Sequence, residues 1–191
     1  MQNILFVSHC VLNTASKVVL YDKDEMEAEE ALRRRFLQEA VLKGVQIIQL
    51  PCPEFTLYGA RRWGHVSTQF DNPFFREHCR RLLEPIYLEI EEYLSHGERF
   101  CILGVLGIDG SPSCGVDYTG VGKWGGSFGG REDLQETLDS ACMVQKRGVL
   151  MDVLEQGLKE RGFAGRIPVI GLNAREPEKC MSLLRDLAKE E

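Results

Sequence analysis

The sequence predicts a three-layer α/β fold, Rossmann-like in its layering, around a mainly parallel central sheet of about four or five strands. Three observations carry this expectation. Short apolar runs suited to buried strands recur along the chain: Asn3 to Ser8, Val45 to Leu50, Arg99 to Leu106 and Ile167 to Leu172. Between them lie longer stretches with helical apolar spacing, and such alternation implies right-handed crossovers with helices on both faces of the sheet. The 191 residues show no repeat, low-complexity segment or linker, so residues 1–191 are read as one domain.

Each element has local grounds. Asn3 to Ser8 is short and apolar enough for a central strand. Asp24 to Lys43 reads as a helix, acidic at its start (Asp24, Glu25, Glu27) and basic later (Arg33, Arg34, Arg35, Lys43), as the helix dipole prefers. Leu32, Phe36 and Ala40 share one of its faces, and Gly44 suits the C′ position. Val45 to Leu50 is the second strand. Pro51-Cys52-Pro53-Glu54 ends it, because two prolines remove donors and fix φ. Phe55 to Phe70 has no clear period and reads as an ordered loop. Asn72 opens a long helical pattern in which Phe75, Cys79, Leu82, Leu83, Ile86, Ile90 and Leu94 follow the 3–4 spacing, and which Pro85 should kink or divide. Arg99 to Leu106 is the third strand, and Gly107 to Gly115 a tight turn after it. Gly120 to Gly130 is glycine-rich. It matches a dinucleotide fingerprint in spacing but lacks the flanking strand and helix, so it reads as a flexible lid. Leu134 to Gly162 is helical, broken near Gly148. Ile167 to Leu172 is the fourth strand. Glu178 to Lys189 is a final helix, with Asn173 and Glu176 as a capping box.

Composition narrows the function. A net charge of −6 argues against a nucleic-acid polymer as partner. No apolar run approaches the ~20 residues that span a bilayer. The chain enters its first strand with no basic, cleavable leader, so no membrane is expected and the compartment is read as cytoplasmic. Seven cysteines, an odd count without a Cys-x-x-Cys pair, disfavour a disulfide framework and suggest free thiols or metal ligands.

Three apolar strands lead into a cysteine: Cys10, Cys52 and Cys114. In a parallel α/β sheet these positions fall beyond the carboxyl ends of the strands, where ligands bind. Three converging thiolates suit a soft metal or a cluster, although a lone buried cysteine is also an ordinary small hydrophobe. Cys79, Cys101, Cys142 and Cys180 are read as packing, the last two within helices. Glu54, beside Cys52, is placed either to move a proton and orient a water or to cap the following loop. Ser111 and Ser113 serve substrate or turn. Arg61 and Arg62 are candidates for a polar or anionic substrate, against the alternative of an exposed pair. His9 and His65 are read as satisfied structural histidines.

The segments Ser8-His9-Cys10-Val11-Leu12-Asn13, Pro51-Cys52-Pro53-Glu54 and Ser111-Pro112-Ser113-Cys114-Gly115, in that order, resemble the thiouracil desulfurase family, most closely its branch of related desulfidases. The resemblance implies a [4Fe–4S] cluster held by Cys10, Cys52 and Cys114, with the fourth iron open to substrate sulfur. By position, Glu54 and Ser111 are the groups expected to handle protons and orient substrate, with Ser113, Arg61 and Arg62 as candidates for substrate contact. The expected partner is a small thiolated molecule, with a sulfur-acceptor protein as a further candidate. The chain departs from the family pattern at Asn13 to Val18 and at Leu57 to Gly64, both expected to line the pocket. The implied substrate is therefore a thionucleobase-like class and not thiouracil itself. A non-catalytic iron–sulfur or sulfide carrier and a three-cysteine zinc hydrolase stand as alternatives.

Overall fold

The four apolar runs all become strands of one sheet. In the computed structural model of the chain, which describes residues 1–19, 21–185 and 187, the elements run in this order. They are β1 (Gln2–Val7), α1 (His9–Leu12), a 3₁₀ turn (Thr14–Ser16), α2 (Lys23–Leu42), β2 (Gln46–Gln49), α3 (Pro53–Tyr58), α4 (Ser67–Phe70) and α5 (Pro73–Ser95). There follow β3 (Phe100–Ile108), β4 (Thr119–Val121), α6 (Leu134–Asp139), β5 (Cys142–Val144), α7 (Val149–Glu160), β6 (Val169–Leu172), α8 (Pro177–Met181) and a second 3₁₀ turn (Ser182–Leu184). The main sheet is parallel throughout, in the order β2-β1-β3-β6. A small antiparallel ribbon, β4 with β5, stands apart from it.

β1 shows why three layers form. Its side chains alternate between faces, and both faces are buried. Ile4 and Phe6 pack with Val105 against Leu83 and Ile90 of α5 and Leu150 and Leu154 of α7. Leu5 and Val7 pack with Leu106 and Ile108 against Leu32, Phe36 and Ala40 of α2 and Cys180 of α8. Each large apolar side chain so buried contributes roughly 1.5–3 kcal/mol. No helix among the described residues is long and apolar enough to cross a membrane.

Several expectations are corrected. Phe55 to Phe70 is not all loop: Pro53 occupies the first turn of α3, where its missing N–H costs nothing, and Cys52 is the N-cap. Pro85 does not divide α5. It is exposed, as is Arg81 four residues earlier, so water can serve the carbonyl that loses its donor. Cys142 to Val144 is a strand and not a helix, because pairing with Thr119 to Val121 overrides local preference. That pairing also orders the start of the glycine-rich segment, which Ser67 Oγ and Thr68 Oγ1 tie to α4 by donating to Gly120 O and Gly122 O at 2.9 and 2.8 Å. The capping box does not form: Asn173 Oδ1 accepts from Arg175 N–H at 3.0 Å, and the Glu176 side chain makes no cap. The final helix is short, and the last part of the predicted span, residues 186 and 188–189, lies outside the described residues.

Candidate functional site

Topology brings the predicted ligands to one edge. β2, β1 and β3 are neighbours in a parallel sheet, so their carboxyl ends lie side by side. Cys10 and Cys52 each follow the last strand residue by three positions, and Cys114 by six. Cys10 sits in α1, half-buried, with its sulfur 3.7 Å from Ser16 Oγ. Cys52 is buried at the N-cap of α3, where its sulfur accepts the N–H of Phe55 at 3.4 Å. Cys114 is buried in the turn after β3, and its N–H donates to Ser111 Oγ at 3.0 Å.

The Cys114 turn rests on the start of α7. The first N–H groups of a helix have no partner within it. Here Val149 N–H donates to Pro112 O at 3.0 Å and Leu150 N–H to Ser113 O at 2.9 Å, while Gly148 N–H donates to Gly115 O at 2.9 Å. The approach requires glycine. A Cβ on Gly148 would lie 2.6 Å from the carbonyl carbon of Ser113, and one on Gly115 would lie 2.2 Å from Tyr118 O.

The three sulfurs influence one another. Cys10 and Cys52 stand within hydrogen-bonding reach, which lowers the pKa of Cys52 and raises that of Cys10; burial and the Cys114 charge raise Cys10 further. Burial pushes Cys114 up to about 12, opposed by Ser113 and reinforced by the Cys52 charge. Cys79, fully buried in α5, is also pushed up to about 12 by burial, with a smaller push from Cys114. Cys101 lies half-buried in β3, Cys180 is buried in α8, and Cys142 is exposed.

Glu54 is enclosed beside the thiols. Its Oε1 accepts from Ser113 Oγ at 2.6 Å and its Oε2 from Arg62 Nε at 3.2 Å, with the two charged side chains 9 % and 3 % exposed. Arg62 also donates to Ser16 O at 2.7 Å and Gly59 O at 3.1 Å, so it ties the loop after Cys10 to the loop after Cys52. Arg62 thus has a buried partner in Glu54, while Arg61 is exposed. Ser111 and Ser113 both brace the turn, and their hydroxyl oxygens are 3.5 Å apart. Ser113 Oγ also lies 3.5 Å from the Cys114 sulfur.

Two polar atoms escaped sequence reasoning. His65 is stacked against Tyr58 and Phe70 at 5.1 and 4.8 Å; its ring is in reach of the Trp63 backbone, and its Nδ1 is buried without a well-formed hydrogen bond. Burial holds its pKa, like that of His9, below the usual imidazole value. Ser8 Oγ is fully buried with no well-formed hydrogen bond, and its weak contact with the Cys114 sulfur lowers the pKa of that thiol. Neither is visible from local pattern, because each needs the strand ends to meet.

The donor set is of the kind an iron–sulfur cluster takes: three thiols near one another, with N–H and O–H donors around the sulfurs. Among the described residues, no group of three His, Cys, Asp or Glu side chains has the spacing to hold a metal ion. A cluster makes a different demand, since it spreads three thiolates over three iron atoms.

The chain is similar to an uncharacterized protein of the archaeon Methanocaldococcus jannaschii, at 32 % identity over 115 residues, covering 60 % of this chain and 69 % of the other. The chain belongs to the family of that archaeal protein. This family membership carries no activity with it, so function must be argued from the site. No protein-family model matches the chain, and no solved structure does.

Proposed function

We propose that the chain is a desulfurase, or desulfidase, which removes sulfur from a thiolated small molecule of thionucleobase type, with a [4Fe–4S] cluster held by Cys10, Cys52 and Cys114. One observation supports this reading above the others. Three thiols distant in sequence stand in mutual electrostatic reach at one sheet edge, with a buried carboxylate beside them. When bound, a cluster with three protein ligands supplies an iron with an open position that can hold and polarise a substrate sulfur.

The chain's own residues do the rest. Glu54 Oε1 is the atom that holds the proton of an incoming water, and Arg62 fixes the carboxylate by its other oxygen. Ser113 aims its hydroxyl at Glu54. Ser111 accepts the Cys114 N–H, which leaves its own O–H to orient substrate. Arg61, being exposed, is the cation left for a polar group of the substrate. Overall a C=S bond becomes C=O, water supplies the oxygen and hydrogen sulfide leaves, with no net electron transfer.

The test is purification without oxygen, followed by iron and labile-sulfide counting and incubation with thiouracil-type compounds. Sulfide release that disappears in Glu54→Ala at unchanged iron content is the expected result. Zinc without sulfide overturns the reading, and a loaded protein inert towards a broad panel of thio compounds points to a carrier.

A further inference from the structure

Ser8 joins β1 to α1. Its backbone is fully used there: the N–H donates to Leu106 O at 2.8 Å, and the carbonyl accepts from Val11 N–H at 2.9 Å. The corner therefore has no need of the hydroxyl. Yet the residue is 0 % exposed, and its Oγ makes no well-formed hydrogen bond: its one polar neighbour is the Cys114 sulfur, whose pKa it lowers. An unpaired buried hydroxyl destabilises a fold, and such groups are rare in native interiors. A buried hydroxyl whose only polar neighbour is a weak thiol acceptor points to a stronger acceptor that completes it.

The neighbours indicate which acceptor. Ser8 lies beside the Cys114 sulfur and two positions before Cys10. Of the other hydroxyls near Cys114, Ser113 already donates to Glu54 and Ser111 is engaged by the Cys114 N–H. A thiol sulfur is a weak acceptor, whereas a thiolate on iron, or the sulfide next to it, attracts a donor strongly. We infer that the Ser8 hydroxyl is a hydrogen-bond donor to the sulfur shell of the group held by the three cysteines, an inference that rests on the function proposed above. It is satisfied in the loaded protein and unsatisfied without the group.

The arrangement predicts opposite effects of one substitution in two states. Without iron, Ser8→Ala removes a buried orphan and raises Tm by about 2–4 °C. With iron and sulfide at the wild-type ratio, the same variant melts below loaded wild-type protein. Its reduction potential also moves to a more negative value, because hydrogen bonds to cluster sulfurs favour the reduced form. Melting shifts of the same sign in both states, together with an unmoved potential at full loading, would overturn the role of Ser8 alone. Wild-type protein that takes up neither iron nor sulfide would overturn this inference and the proposed function together.

Discussion

At the scale of single residues, the Glu54–Arg62 pair dominates the site. Two opposite charges held at 9 % and 3 % exposure are tolerable only as partners, since removing one leaves the other buried and uncompensated. Arg62→Met should therefore destabilise the iron-free protein by about 3–5 kcal/mol in urea unfolding. The double variant Glu54→Leu with Arg62→Met should lose less than the sum of the two single changes, since the second change removes the stranded charge. Additive losses would show that the pair does not interact as the 3.2 Å contact implies. The cysteines and Glu54 could be picked out in the sequence because each follows an apolar strand, with prolines marking the end at Cys52 and Glu54 and glycines the turn at Cys114. The role of Arg62 could not, because it lies in a segment without periodicity and it joins Glu54 and Gly59 of α3 and its cap to Ser16, 46 residues away in sequence.

At the scale of elements, the junction between the Cys114 turn and α7 controls the geometry of the third thiol. Backbone meets backbone there, so nothing flexible can yield to an added methyl group. Gly148→Ala should cost about 1–3 kcal/mol and displace the turn. Gly120→Ala, with no atom within 4 Å of its Cβ, should stay within about 0.5 kcal/mol of wild type. Thermal melting of the pair checks both. The same contrast explains which elements the sequence revealed. The long helices and four main strands announce themselves through apolar periodicity, because their burial is one-sided or complete along their length. β5 and the short helices α3 and α4 depend on single contacts made by the finished fold. For α3 a signal was present, since a proline one position after a potential N-cap residue favours the first turn of a helix.

At the scale of the whole molecule, α2 is fastened to the site side of the sheet by Arg33, which donates to Val11 O at 2.7 Å and pairs twice with Glu30 at 2.7 Å. The Arg33 guanidinium holds the Glu30 carboxyl down at about 2. An unfolded glutamate titrates near 4.3, so the folded value is the lower one. The stability from Glu30 is thus fully present above about pH 4.3 and is lost as pH falls towards 2. Glu30→Gln should flatten the dependence of unfolding free energy on pH across that window and leave its slope at neutral pH unchanged. Removing iron should act on the molecule as a whole, because a group that binds only the folded state raises its stability by linkage. Chelation is expected to lower the Tm of wild-type protein and to leave the Tm of a Cys10→Ser, Cys52→Ser, Cys114→Ser variant unmoved. The strand order has one more outcome. β1 lies between β2 and β3, so the three thiols are neighbours only after both flanking strands have paired with it. A chain that stops before the third corner can bring Cys10 and Cys52 together through the β1–β2 pairing, but Cys114 joins them only once β3 has taken its place on the other side of β1.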